Sequence, residues 1–145
     1  MKGVLTKAFL LVAFLLQLAI LATDKNIWRD APTHAYGLAV FAIIDLALFG
    51  FLFMRTNRQT FLLVSAWGLI QALVMLADIF NGPSTYGTPT QFATYLFGLG
   101  YYDSNHIAFL FPALFVVTIL LALSALIESR SQKGMAPEAA STPQS

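Results

Sequence analysis

The chain has 145 residues, of which 58% are hydrophobic and only 10% are charged, and its mean hydropathy is +0.73. A soluble domain carries about a quarter charged residues, so this chain has too few of them to cover a water-facing surface. The net charge of +1 argues against a nucleic-acid partner, and the absence of cysteine excludes disulfides, iron–sulfur clusters, thiolate zinc sites and covalent haem attachment.

Four apolar runs are each about as long as the ~20 residues that cross a bilayer core. They extend over residues 4–22, 35–54, 61–80 and 107–127. Lys2 and Lys7 give the first run the look of a signal peptide, but it has full spanning length and lacks a small-x-small cleavage site. We therefore expect it to be retained. The sequence predicts an all-α fold, an integral membrane four-helix bundle in the cell membrane and in contact with the lipid bilayer.

The basic residues predict the orientation of the four spans. An even number of spans puts both termini on one side, and six of the eight basic residues fall on that side. By the positive-inside rule, both termini are predicted to be cytoplasmic. Residues 1–128 form the predicted transmembrane domain, and residues 129–145, which are small, polar and Pro-containing, form a mobile cytoplasmic tail.

The loops differ in length and character. A polar turn at residues 56–59 is short enough to make the second and third spans antiparallel neighbours. Trp28, in the first outer loop, is predicted to lie at headgroup level. In the long outer loop, Thr88 and Pro89 form a helix-start pattern. We expect a short interfacial helix over about residues 89–97, before the fourth span.

Asp45 lies near the middle of the second run, where a charge costs about 2.5–3.5 kcal/mol to insert. Antiparallel pairing about a turn near residue 57 places it within one helical turn of Gln71 in depth, and Trp67 is one turn from Gln71. The sequence predicts an intramembrane polar seam of Asp45, Gln71 and Trp67. In it, a neutral Asp45 exchanges hydrogen bonds with Gln71, so that Asp45→Asn is nearly silent.

Two other roles for Asp45 stay open. The first is that of a proton-bearing or cation-binding group in a transport path. The second is that of a partner for a basic residue on another subunit. Gln17, Thr118 and Ser124 look isolated and are expected to bond their own backbone or a neighbouring helix. Gly68 and Ala72 have the spacing that allows close helix approach.

A second polar cluster is predicted at the outer boundary and consists of His34, Asp78, Asp103 and His106. Two histidines and two carboxylates could bind Zn or Cu, and two histidines at one depth could hold a haem b. These residues share no tight local spacing, and histidines at helix ends often serve as caps or interface groups. No cofactor is therefore predicted, and haem b or Cu/Zn stays an alternative.

Sequence motifs for catalysis are absent: the chain has no GxSxG, HExxH, phosphate loop or dinucleotide fingerprint. The 13 Phe residues and the almost uncharged outer loop suit contact with other integral membrane subunits. We expect a non-catalytic accessory or structural subunit of a larger membrane complex, of the respiratory or membrane-oxidoreductase type. The alternatives are a small homo-oligomeric transporter or channel that uses Asp45, and a haem- or metal-binding membrane protein that uses His34 and His106.

Overall fold

The computed structural model describes residues 3–30, 32–81 and 110–133, and every element in these ranges is an α-helix. The helices are α1 (Val4–Thr23), α2 (Lys25–Asp30), α3 (Pro32–Met54), α4 (Arg58–Asn81) and α5 (Leu110–Lys133). All except α2 are long and apolar enough to cross a membrane. The chain thus has the build of a multi-pass membrane protein, as its composition predicts.

Local hydrogen bonds set where the helices begin. The Asn57 side chain accepts from the backbone N–H of Thr60 at 2.8 Å, which caps the first turn of α4. Asp24 accepts from the backbone N–H of Ile27 at 3.2 Å, so it starts α2 immediately after α1 ends. Gly3 precedes α1 with φ +77°, and a Cβ at this position would lie 2.8 Å from the Phe61 ring.

The short helix α2 occupies part of the first predicted outer loop. Its Trp28 donates through Nε1 to the carbonyl of Leu21 at 2.8 Å. The same indole packs edge-on against Tyr36, with ring centroids 5.9 Å apart. The short helix α2 therefore connects the end of α1 to the start of α3 through the contacts of Trp28. Trp28 itself is 44% exposed.

The long helices run alternately in opposite directions, which gives the molecule two ends. The tail end contains the start of α1, the turn between α3 and α4, and the end of α5; the loop end contains α2 and the opposite helix termini. α1 packs against α3 and α5, and α4 packs chiefly against α5. The backbones of α3 and α4 approach each other at few points, although the short turn between them predicts that they are close neighbours.

Gly68 explains why α4 prefers α5. A Cβ on Gly68 would lie 2.9 Å from the Thr118 carbonyl oxygen and 3.0 Å from the Ala122 nitrogen. Only glycine allows the two backbones to come this close. Ser65, one turn earlier, donates to the Ala122 carbonyl at 2.8 Å. The predicted close approach at Gly68 is present, with α5 as the partner helix.

The distribution of polarity is the reverse of that in a soluble protein. Several of the largest apolar side chains point outward, and Ile43, Phe53 and Ile127 are more than 60% exposed. The interior combines two apolar clusters with buried polar side chains. The buried polar residues are Thr6, Gln17, Asp45, Thr60, Gln71, Thr118, Ser124 and Ser129. This pattern suits a lipid environment, in which polar groups are satisfied inside the protein.

Some predicted boundaries differ from the structure, and others fall outside it. α5 continues to Lys133, five residues past the predicted end of the transmembrane domain at residue 128, and Ser129 is buried in it. Its hydroxyl donates to the Leu126 carbonyl at 2.7 Å. The predicted interfacial helix over residues 89–97 and the tail from residue 134 lie outside the described residues.

Candidate functional site

Polar side chains from three helices meet near the middle of the molecule. Gln17 comes from α1, Asp45 from α3, and Trp67 and Gln71 from α4; we call these four residues the Asp45 network. Gln17, Asp45 and Gln71 have no exposed surface, and Trp67 is partly buried. Groups removed so completely from solvent must find hydrogen-bond partners within the protein.

Both oxygens of Asp45 accept hydrogen bonds. Oδ1 accepts from Trp67 Nε1 at 2.6 Å and from Gln71 Nε2 at 2.8 Å. Oδ2 accepts from Gln17 Nε2 at 2.8 Å. The contacts that the sequence predicts from Gln71 and Trp67 to Asp45 are therefore present.

Gln17 is the member that sequence reasoning missed. Its Nε2 also donates to Gln71 Oε1 at 2.8 Å, which closes a ring through Asp45, Gln71 and Gln17. One sequence feature could have indicated its burial: Gln17 continues the three- and four-residue spacing of the residues on the buried face of α1, which are Thr6, Leu10, Ala13 and Ile20. Its Oε1 is buried and has no hydrogen-bond partner among the described residues.

The hydrogen-bond pattern differs from the predicted one in its direction. A neutral Asp45 is expected to donate to Gln71, but both of its oxygens face N–H donors. A carboxyl proton would find an acceptor in the network only after a glutamine amide rotates. The observed arrangement therefore satisfies a carboxylate, which can only accept, better than a carboxylic acid.

The surroundings of Asp45 offer it no basic partner. On α1 the nearest basic residue to Gln17 is Lys7, and the nearest to Asp45 is Arg55, which directly follows α3. Each is ten residues away, or about 15 Å along a helix. Lys7 instead lies over the Phe53 ring, 4.3 Å from its centroid. A basic residue from another subunit would have to displace a network donor, since Asp45 is fully buried.

A crevice of about 480 Å³ opens between α3 and α4 in the loop-end half. It extends from the start of α3 to Phe41, which packs edge-on against Trp67 with centroids 5.3 Å apart. Its volume falls within the range of small-molecule pockets, about 300–1,000 Å³. The crevice is lined by Ile27, Thr33, His34, Gly37, Leu38, Phe41, Val74, Met75, Ala77 and Phe111. It thus ends one helical turn from Asp45.

The structure brings together little of the predicted outer-boundary cluster. His34 is exposed in the first turn of α3 and lines the crevice. Asp78 belongs to the last turns of α4, whereas Asp103 and His106 lie outside the described residues. Within residues 3–30, 32–81 and 110–133, no three metal-ligating side chains gather into a group. A metal or haem site at this boundary stays an alternative.

Two other buried polar residues, Thr6 and Ser124, meet near the tail end. Thr6 Oγ1 donates to Glu128 Oε2 and lies 3.5 Å from Ser124 Oγ. Ser124 and Thr118 also donate to carbonyls one turn earlier in α5, at 3.0 and 2.8 Å. The bonds of Thr118 and Ser124 to carbonyls of α5 are the own-backbone contacts predicted for these two residues. The bond from Thr6 to Glu128 fastens α1 to α5.

The chain matches no protein-family model, no curated protein and no solved structure. Its function is therefore inferred from the two features described above, the Asp45 network and the adjoining crevice. The network is polar and closed within the chain, whereas the crevice is apolar and open.

Proposed function

We propose that this chain is a non-catalytic accessory subunit that binds other integral membrane subunits of a larger complex, of the respiratory or membrane-oxidoreductase type. The observation that carries the proposal is the incomplete packing of α3 against α4. These helices leave an apolar crevice of about 480 Å³ between them. An apolar side chain or helix of a partner would gain packing contacts there, and such contacts drive helix association in membranes.

The use of the interior polar groups supports a structural role. The Asp45 network bonds to itself, and Thr118 and Ser124 bond to backbone carbonyls of their own helix. The interhelical bonds of the network stabilise the association of helices, whereas those of Thr118 and Ser124 only satisfy buried hydroxyl groups. Neither kind of bond presents a reactive group to a substrate.

The proposed orientation follows from the charges at the two ends. Lys7, Arg55, Arg58 and Arg130 belong to the tail end of the described helices, whereas Lys25 and Arg29 belong to α2 at the loop end. We place the tail end, and with it both termini, on the cytoplasmic side of the cell membrane. The four long helices then form the proposed four-helix bundle, and the crevice lies in the outer half of the bilayer.

Purification of the native protein in mild detergent tests the proposal. We expect a reproducible set of other membrane subunits to accompany it. In addition, Gly37→Leu should reduce their recovery, because Gly37 lines the crevice and an added Cβ meets nothing within 4 Å. The matched control is Gly50→Leu, since Gly50 lies on the same helix, has equal free space and does not line the crevice.

A second candidate function is that of a small homo-oligomeric transporter with Asp45 as its ion site. The observation in its favour is that the crevice ends at Phe41, one turn from Asp45. Three N–H donors already occupy the carboxylate oxygens, so a metal cation would have to displace them, whereas a proton requires only local rearrangement. Recovery of a homo-oligomer without other subunits would favour this candidate over the first.

A further inference from the structure

We propose that Asp45 is a proton-binding site whose charge state controls how firmly α4 is held to α3. In the carboxylate form the Asp45 network is closed, and a proton taken up from water opens it. The proposal goes beyond the accessory role and does not depend on it, because it concerns contacts made entirely within this chain.

Every hydrogen-bond partner of Asp45 in the network is a donor. The carboxylate accepts from Trp67, Gln71 and Gln17 and donates to none of them. When a proton binds Oδ2, an O–H bond forms, and its hydrogen finds no acceptor in the network because the Gln17 group that faces Oδ2 is a donor. The Gln17 amide must rotate so that its Oε1 can accept the new proton. This oxygen is buried and has no other partner among the described residues.

Rotation of the Gln17 amide breaks the ring of hydrogen bonds through Asp45, Gln71 and Gln17. Gln17 Nε2 also donates to Gln71 Oε1, so rotating the Gln17 amide sets two acceptor oxygens against each other. Rotating Gln71 as well restores an amide contact but points Gln71 Oε1 at Asp45 Oδ1, again oxygen against oxygen. One proton cannot satisfy both contacts. In the neutral form, therefore, either the new O–H has no acceptor or at least one hydrogen bond of the network is lost.

The Asp45 network joins α4 to α3 and to α1. α4 is held closely to α5 at Gly68, while the backbones of α3 and α4 approach each other at few points. Two of the three hydrogen bonds to Asp45 come from α4. Protonation removes the negative charge that strengthens both bonds, so it loosens α4 against α3 and leaves the α4–α5 interface intact. The crevice between α3 and α4 begins one turn away and should widen.

No other titratable group of the described helices is placed to respond in this way. The charged residues of the long helices lie toward their ends, with Asp78 the nearest to Gln71, seven residues or about 10 Å along α4. The others are Lys7 in α1, His34 in α3, Arg55 directly after α3, Arg58 in α4, and Glu128, Arg130 and Lys133 in α5. Asp45 is the single titratable member of the network.

Trp67 provides a direct readout of protonation. The chain has two tryptophans, so Trp28→Phe leaves Trp67 as the only one. In detergent, from about pH 9 down to about pH 4, a range that reaches the ordinary pKa of a carboxyl group, the Trp67 emission should shift in a single transition. An infrared carboxyl C=O band should appear over the same range. In the same background, Asp45→Asn should abolish both changes. A flat emission and an absent band in the protein with Asp45 intact would overturn the proposal.

Distances between spin labels test whether the helices respond. The chain contains no cysteine, so Ile43→Cys and Leu69→Cys place labels at two exposed sites on α3 and α4. Their separation should increase as the network takes up a proton. The control pair, Leu69→Cys with Leu123→Cys, spans the α4–α5 interface and should stay constant. Titration of Trp67 without a change in the α3–α4 distance would overturn the proposal that Asp45 holds these helices together.

Discussion

Trp67 Nε1 donates to Asp45 Oδ1 over 2.6 Å and so joins α4 to α3, two helices whose backbones approach each other at few points. The indole also packs against Phe41, one turn from Asp45 on α3. One side chain therefore combines a polar and an apolar contact at the same helix pair. These two contributions can be separated by mutation.

Trp67→Phe should remove the hydrogen bond to Asp45 and keep an aromatic ring near Phe41. We expect a loss of about 1 kcal/mol in the free energy of unfolding, since hydrogen bonds between membrane helices average about 0.6 and reach about 1.7 kcal/mol. Reversible unfolding in mixed detergent micelles measures it. Trp28→Phe serves as the comparison, because Trp28 is exposed and bonds only to a carbonyl at the end of α1. An equal loss in the two variants would contradict a special role for the Asp45 bond.

Asp45→Asn should destabilise the protein by about 1 kcal/mol, although the sequence alone predicts that it is nearly silent. An asparagine has one acceptor oxygen, and its NH₂ group must face an N–H donor of Gln17 or of Trp67 and Gln71. Asp45→Leu should cost more, because all three donors lose their acceptor. The same unfolding measurement applies. An unchanged stability of Asp45→Asn would instead indicate that Asp45 is a neutral acid in the native state.

Gly68→Ala should destabilise the α4–α5 interface by about 1–3 kcal/mol, the usual cost of overpacking. The added methyl would lie 2.9 Å from the Thr118 carbonyl oxygen, so the backbones must separate. At Gly37 and Gly50 an added Cβ meets nothing within 4 Å. Alanine there should be neutral or stabilising by about 0.5–1 kcal/mol, because helical glycine is less favourable than alanine. Similar effects at all three positions would argue against the close approach at Gly68.

The topology can be tested with single cysteines in the natural cysteine-free background. Gln59→Cys at the start of α4 should react with a membrane-impermeant thiol reagent only after cells are opened, because the tail end is proposed to be cytoplasmic. Lys25→Cys in α2 should react in intact cells. Both residues are exposed, so neither result depends on unfolding. The opposite pattern would reverse the proposed orientation.

The purified protein should carry no stoichiometric metal or haem. His34 is the one histidine in the described residues, and no group of three ligating side chains surrounds it there. Metal analysis and a search for a Soret band test this expectation. If one equivalent of metal or haem per chain is found, its loss from a His34→Ala, His106→Ala double variant would locate the site and contradict the expectation.

The central contact was predictable because the geometry that produces it is local. The four-residue turn fixes the relative depth of α3 and α4, so Asp45 and Gln71 had to lie within about a turn of each other. Gln17 could not be placed in the same way. α1 is joined to α3 through a loop and a helix that the sequence did not predict, α2, so its depth and rotation come from packing.

The four long apolar helices and the acidic residue in the middle of the second could be read from the sequence, because the length and polarity of a run depend only on consecutive residues. Three features required the folded chain: the packing of α4 on α5, the part of Gln17 in the Asp45 network, and the orientation of all three amide and indole donors toward Asp45. Helix pairing depends on the fit of whole surfaces, such as the close approach at Gly68. The direction of a hydrogen bond depends on every partner in the network at once, which no single residue or spacing encodes.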